Sequence, residues 1–329
     1  ISVYFIVYPD YLSVEGTNYI TTRFTGAQGL FVAIIVGLLV GELMSVLSKS
    51  SKLEIKMPEQ VPPAVARTFK ILLPIIIVTV GFSILNFIIG KFTDGGGIHT
   101  IIYNLLQAPL TKLGDSIISV VIMALVSNLL WIMGIHGPNT IAAVRDTMFA
   151  EANAANLAFA QANGTAWGAP FPRTWALVDA FSNYGGSGCT LGLIIAILIF
   201  SKMKDQKDIA KLSIGPGLFN INESVIFGLP IVLNPIFIIP FLLVPIVNLL
   251  VGYGAILIRI IPPIAYGVPW TTPGPLIPFV GTGGEIMGLV VGFICLAVSV
   301  LIYAPFVIAS NKAAAKMHEE ELSSTTESV

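Results

Sequence analysis

The chain has 329 residues, of which 55% are apolar and only 11% charged, whereas an ordinary soluble domain carries roughly 25% charge. With a mean hydropathy of +0.87, this is the composition of a polytopic membrane protein. Its 17 basic and 18 acidic side chains leave a formal net charge of −1, which excludes an electrostatic case for nucleic acid and leaves membrane lipid as the partner that charge implies.

The chain opens at Ile1, without a basic segment leading into a short apolar core and a cleavage site. The expectation is a sequence that begins inside a longer protein, with residues 1–25 a loop or an incomplete interface segment. A bilayer core is crossed by about 20 mostly apolar residues, and four stretches meet that condition: Gly26 to Leu47, Ile71 to Gly90, Ile117 to Ile135 and Gly284 to Ala309. Three more are apolar but interrupted, Gly185 to Phe200, Ile231 to Leu250 and Val251 to Tyr266, and are read as spans with unwound ends or partners of re-entrant segments. Pro58, Pro62 and Pro63 followed by Ala64 to Phe69 suggest an amphipathic piece lying on the surface, with a plain loop the other reading. Lys49, Lys52, Lys56, Arg67 and Lys70 mark one cytoplasmic connection, Lys202, Lys204, Lys207 and Lys211 another, and Lys312 and Lys316 flank the last span. Simple alternation of spans then fails, so Gly137 to Asn183 must cross the membrane or dip in and return. The tail from His318 to Val329, rich in Glu, Ser and Thr, reads as disordered.

Polar breaks in this apolar chain carry the candidate chemistry. Glu223 lies in the apolar stretch Gly217 to Pro235, beside Asn220 and Asn222 and among Gly217, Gly228, Pro230 and Pro235, which prevent one smooth helix. A carboxylate at bilayer depth costs about 2.5–3.5 kcal/mol on insertion scales and is a functional-site hypothesis by default. His136 ends a strong apolar stretch at a Gly-Pro break; it either caps the helix or hydrogen-bonds a ligand, and the second break at Glu223 favours the ligand. Trp131 and Trp270 are either stacking platforms for pyranose rings or members of the interfacial aromatic belt. Trp270 sits in Gly267-Val-Pro-Trp-Thr-Thr-Pro-Gly-Pro-Leu276, a non-helical segment that must be buried in protein or line a cavity if it lies in the membrane. Gly185 and Gly186 are expected to allow close helix packing. Cys189 and Cys295 have no metal-ligand spacing, so neither metal nor cofactor is expected, and no phosphate-binding Gly-rich motif stands before a helix.

Taken together, Trp131 to Asn139, Gly185 to Leu193 and Phe219-Asn-Ile-Asn-Glu223 running on to Pro235 resemble the lactose, cellobiose and diacetylchitobiose family of bacterial phosphotransferase-system membrane components, enzyme IIC. The likeness runs from about Gly26 to Ala309. It departs at Ser224, where the family usually has Pro, and in the family's N-terminal spans, which do not precede Ile1. The resemblance implies an all-α polytopic membrane protein of the bacterial cytoplasmic membrane, a homodimer, with an N-terminal interface part, a C-terminal sugar-binding part and re-entrant hairpins. On this chain those would be a remnant interface part at 26–113, a sugar-binding part at 114–310 and a cytoplasmic tail at 311–329. It further implies a β-linked disaccharide presented to a phospho-cysteine on a separate enzyme IIB, with Glu223 and His136 near the reacting 6-hydroxyl. Asn139 and Asn222 would be further polar contacts, and Trp131 and Trp270 would face the sugar rings. Rival readings are an ion-coupled secondary sugar transporter with Glu223 as proton carrier, and an intramembrane enzyme acting on a lipid-linked sugar.

Overall fold

The computed structural model describes residues 1–9, 11–14, 17–20, 23–25, 29–55, 58, 62, 68–229 and 231–327. Most of the segment expected to lie on the surface between Lys52 and Phe69 falls outside them. Four helices among the described residues are long and apolar enough to cross a membrane: Leu30–Ser48, Thr68–Gly90, Pro235–Leu257 and Ile286–Lys316. Among the described residues the fold is helical apart from one short hairpin, and the chain divides into two compact units, residues 1–112 with 146–148, and 113–145 with 149–329.

In the first unit, the opening residues are ordered rather than a loop. Helix α1 (Ser2–Ile6) leads to an antiparallel hairpin of β1 (Tyr11–Val14) and β2 (Thr17–Ile20), with Tyr11 opposite Ile20. The aromatic residues of this stretch explain the order: Tyr8 and Phe24 are buried, the Tyr8 hydroxyl accepts from the Phe24 amide at 2.9 Å, and His99 Nδ1 lies 3.0 Å from the Val7 carbonyl. Val3 and Val7 then pack with Val32 and Val36 of α2 (Leu30–Ser48) and Val78 and Phe82 of α3 (Leu72–Gly90). Beyond this thin seam both helices are apolar outward, with Leu38, Leu43, Ile76, Ile84 and Phe87 exposed. A face of that kind on a soluble monomer would be an association liability; in a membrane protein it suits hydrocarbon or an apolar partner. Helix α4 (Gly97–Gly114), with a π-helical turn at Tyr103–Gln107, follows.

In the second unit, α5 (Ile117–Ile132) ends at the His136-Gly-Pro break, three residues before the limit expected from hydropathy. The short α6 (Gly137–Thr140) and the 22-residue α7 (Ala142–Asn163) follow. Helix α7 carries Arg145, Asp146 and Glu151 and is not among the apolar spans. After α8 (Trp175–Phe181), α9 (Thr190–Phe200) and α10 (Lys204–Leu218) form a packed hairpin around the turn Ser201 to Met203. Then come α11 (Glu223–Gly228), α12 (Pro235–Leu257), α13 (Leu276–Gly281) and α14 (Ile286–Glu327). Helices α9, α12 and α14 enclose the core, with Leu193, Ile197, Phe241, Val244, Tyr303 and Val307 buried.

Two expectations change here. Val251 to Tyr266 is not a separate apolar segment: its first half completes α12 through Gly252, where any Cβ would meet the Phe181 ring at 2.3 Å, and its second half is irregular from Arg259 (φ 59°) through Pro262 and Pro263. The tail does not leave the last helix at residue 310, because α14 continues to Glu327 through the good helix formers Ala313 to Ala315 and Glu319 to Glu321.

Candidate functional site

The two open ends of the α9–α10 hairpin meet. At one end Tyr184 to Cys189 forms an irregular loop in which Gly185, Gly186, Gly188 and Cys189 all have positive φ, 78°, 92°, 77° and 53°. At the other, α10 stops at Leu218 and the chain passes through Asn220, itself left-handed at φ 63°, to Asn222 and Glu223. The Asn220 carboxamide accepts from the Gly185 amide at 2.9 Å, and the Asn222 carboxamide donates to the Ser187 carbonyl at 2.9 Å. The expected reason for Gly185 and Gly186 therefore changes from helix packing to loop-on-loop contact. A Cβ on Gly186 would lie 2.7 Å from the Asn222 side chain, and one on Gly185 would lie 2.2 Å from the Leu191 amide.

Other elements hold the same loop. From α5, Asn128 Oδ1 accepts from the Gly188 amide at 2.7 Å while its Nδ2 donates to the Ala124 carbonyl at 2.8 Å. From α14, the Tyr303 hydroxyl donates to the Gly188 carbonyl at 2.6 Å. Thr190 Oγ1 donates to the Gly185 carbonyl at 2.5 Å and opens α9. Buried backbone groups of an unwound segment need partners, and here buried Asn, Thr and Tyr side chains supply them. Asn220 stands out in the sequence only as a polar neighbour of Glu223, and Asn128 and Tyr303 are not singled out there. A carboxamide at position 128, inside the apolar run of α5, is the signal by which Asn128 could have been found.

The Trp270 segment joins this cluster through Asn220, whose Nδ2 donates to the Trp270 and Thr272 carbonyls, each at 2.7 Å. Trp270 itself is 67% exposed, so its backbone is anchored while its ring is not packed into the core. Glu223 occupies the first turn of α11, exposed and with neither an ion pair nor a hydrogen bond among the described residues. A carboxylate is electrostatically favoured at that end of a helix. Asn222 is buried, and its Nδ2 is engaged by Ser187.

At the C-terminal end of α5, the Trp131 and His136 rings lie 4.8 Å apart, centroid to centroid, at 54°. Trp131 is buried in the core with its indole N–H unpaired among the described residues, while His136 and Asn139 are exposed and the Asn139 amide donates to His136 Nδ1 at 3.3 Å. The Leu233 amide donates to the Ile132 carbonyl at 3.1 Å, tying this end of α5 to the segment that follows α11. No hydrogen bond joins His136 to Glu223. The loop between α7 and α8 is held by Arg173 on Asp115 at 2.9 Å and by the Trp167 indole N–H on Glu285 at 2.7 Å. Burial opposes the Arg173 charge, but Asp115 and Tyr253 together outweigh it and hold the guanidinium pKa above its usual value. Trp175 of the same region is buried. Among the described residues no three His, Cys, Asp or Glu side chains are grouped to hold a metal ion.

Helices unwound where their ends meet, bonded side chain to backbone inside an apolar helical protein, define a membrane protein of transporter type. Residues 2–245 match the model of the family described as Phosphotransferase system, EIIC, and the chain belongs to that family. It is 36% identical over 304 residues to the PTS system cellobiose-specific EIIC component of Lactococcus lactis subsp. lactis, covering 87% of this chain and 61% of the relative. It is 37% identical over 289 residues to the PTS system oligo-beta-mannoside-specific EIIC component of Bacillus subtilis, covering 87% and 64%. The chain thus spans less than two thirds of the length of these curated relatives. Among solved structures it is similar to the crystal structure of the transporter ChbC, the IIC component from the N,N'-diacetylchitobiose-specific phosphotransferase system. That similarity has a TM-score of 0.85 at 35% identity, covering 97% of this chain and 75% of that one.

Proposed function

We propose that this chain is the sugar-translocating part of a phosphotransferase-system permease of the bacterial cytoplasmic membrane. It binds a β-linked disaccharide, moves it inward and holds its 6-hydroxyl for phosphorylation by a separate phospho-enzyme IIB. The observation that carries the reading is Glu223, a carboxylate without a partner among the described residues, on broken backbone whose neighbours Asn220 and Asn222 are bonded to the Gly-rich loop. Relatives named for cellobiose, oligo-beta-mannoside and lactose support the substrate class.

The length of α9 supports a site at mid-depth. Eleven residues from Phe200, which precedes Lys202 and Lys204, back to Thr190 rise about 16 Å, half of a hydrocarbon core of about 30 Å. Sugar hydroxyls would hydrogen-bond to Glu223, His136 and Asn139, with the Trp270 ring against a pyranose face. Trp131, buried in the core behind His136, and Asn222, buried and bonded to the Ser187 carbonyl, would support these contacts rather than make them as the sequence suggested. In the transfer step the donor's S–P bond breaks as the sugar O–P bond forms, sulfur leaves as thiolate, and the hydroxyl proton passes to Glu223 or His136. The chain's contribution is positioning, together with a hydrogen bond that raises hydroxyl nucleophilicity. The charged product cannot return, so uptake becomes irreversible. A homodimer is the assembly that goes with this reading.

Radiolabelled disaccharide uptake into vesicles, with and without phosphorylated enzyme IIB, tests it. Labelled sugar phosphate formed only with the partner is the expected outcome. Accumulation of unmodified sugar against its gradient without the partner would instead mark an ion-coupled transporter.

A further inference from the structure

Asn220 stands at the junction of three segments that are far apart in sequence. Its Oδ1 takes the Gly185 amide of the loop before α9, and its Nδ2 donates to both the Trp270 and Thr272 carbonyls, while its own backbone leads two residues on to Asn222 and three to Glu223. The side chain is nearly fully buried, at 8% exposure, and every hydrogen atom of its amide group is committed. Its φ of 63° belongs to the left-handed region, which Asn, Asp and Gly adopt more readily than other residues. A second contact reinforces the junction: a Cβ on Gly274 would lie 2.7 Å from the Tyr184 ring, so the Trp270 segment also lies directly against the residue that begins the Gly-rich loop.

We propose that Asn220 is a positioning residue that locks the Trp270 segment to the Glu223 segment, so that the stacking ring and the carboxylate keep one spacing and act as a single recognition frame. This rests on the reading of Glu223 and Trp270 as sugar contacts. Asn220 itself need not touch sugar. It acts by removing the independent motion of two segments that meet through its carboxamide alone among the hydrogen bonds seen here, the kind of preorganisation that lowers the ordering cost of binding.

The test is Asn220→Asp in the full chain in lipid nanodiscs. Asp keeps the left-handed backbone and the acceptor for Gly185, but sets a carboxylate oxygen against two carbonyls. The expected result is faster hydrogen exchange across Val268 to Thr272, with Gly185 to Ser187 still protected, and about tenfold weaker cellobiose affinity. Combined with Trp270→Ala, Asn220→Asp should add little further loss, because the ring it positions is gone. Unchanged exchange at Val268 to Thr272, or affinity losses that simply add in the double variant, would overturn the proposal. If the Asp variant does not fold, Asn220→Gly, unstrained at this φ, takes its place and should free both Val268 to Thr272 and Gly185 to Ser187; protection of both in that variant also overturns it. Glu223→Gln measured alongside separates the two ideas: full affinity there sinks the sugar-site reading, while the exchange data still decide the role of Asn220.

Discussion

Glu223 combines a charge, exposure and the lack of an ion pair or hydrogen bond among the described residues, and the proposal that it contacts sugar is tested there. Glu223→Gln keeps the shape but is a poorer acceptor. Hydrogen bonds to charged groups contribute about 1.5–3 kcal/mol, so a ten- to hundredfold weaker disaccharide affinity is expected, with phosphorylation nearly abolished; calorimetry and a labelled-product assay on well-folded protein read both. His136 lies against Trp131 and accepts from the Asn139 amide, and its ring is exposed. If the imidazole orients the reacting hydroxyl, His136→Ala reduces turnover more than affinity, whereas equal losses in both would make it a binding or structural residue. For Trp270, ring stacking should contribute about 0.5–1.5 kcal/mol by analogy with aromatic pairs. Trp270→Phe is expected to keep part of this and Trp270→Ala none, and equal sugar affinity across all three proteins would return the residue to the membrane-interface belt.

At the scale of elements, the Gly-rich loop is where sequence and geometry are most tightly tied. Gly188 has φ 77°, and a Cβ there would lie 2.3 Å from the Phe241 ring of α12. Gly188→Ala thus combines backbone strain with overpacking, each on the order of 1–3 kcal/mol, and should lower the thermal midpoint in detergent by several degrees. Gly254 is the matched control: it lies inside α12 with open space around it, so Gly254→Ala should be neutral or stabilising by up to about 1 kcal/mol. A midpoint for Gly188→Ala equal to that of the control would mean that the loop relaxes freely. The same local logic explains where the hydropathy reading erred. Val251 to Tyr266 is apolar throughout most of its length, but Arg259 in the left-handed region and the Pro262-Pro263 pair end α12 and leave an irregular strip that leads to Trp270.

At the scale of the whole molecule, the outward faces of α2 and α3 distinguish a membrane protein from a folded soluble core. Leu38 is 71% exposed near the middle of a 19-residue apolar helix. Leu38→Asp would place a carboxylate at hydrocarbon depth, at a cost of about 2.5–3.5 kcal/mol on insertion scales. A glycosylation-reporter insertion assay should register a sharp drop for it and none for Ser51→Asp in the loop that follows. Equal insertion of both would show that lipid does not cover this face.

Three of the four clear spans were readable because a bilayer offers backbone groups no water, so that crossing it demands long apolar helices visible in a hydropathy window. Ile117 to Ile135 is the exception, its helix having only 16 residues and not standing among the four that are long enough to cross alone. The polar breaks at His136, Gly185 to Gly188 and Glu223 were readable for the converse reason, since a charge, a carboxamide or a run of glycines in such a stretch is costly and conspicuous. What tied the breaks together was not readable. Asn220 meets Gly185 across 35 residues and Trp270 and Thr272 across 50 and 52. Bonds of this kind, from one side chain to the backbone of distant loops, impose no periodicity and no composition on the chain. They exist only once α9, α10 and α12 have packed and brought their unwound ends within hydrogen-bonding distance.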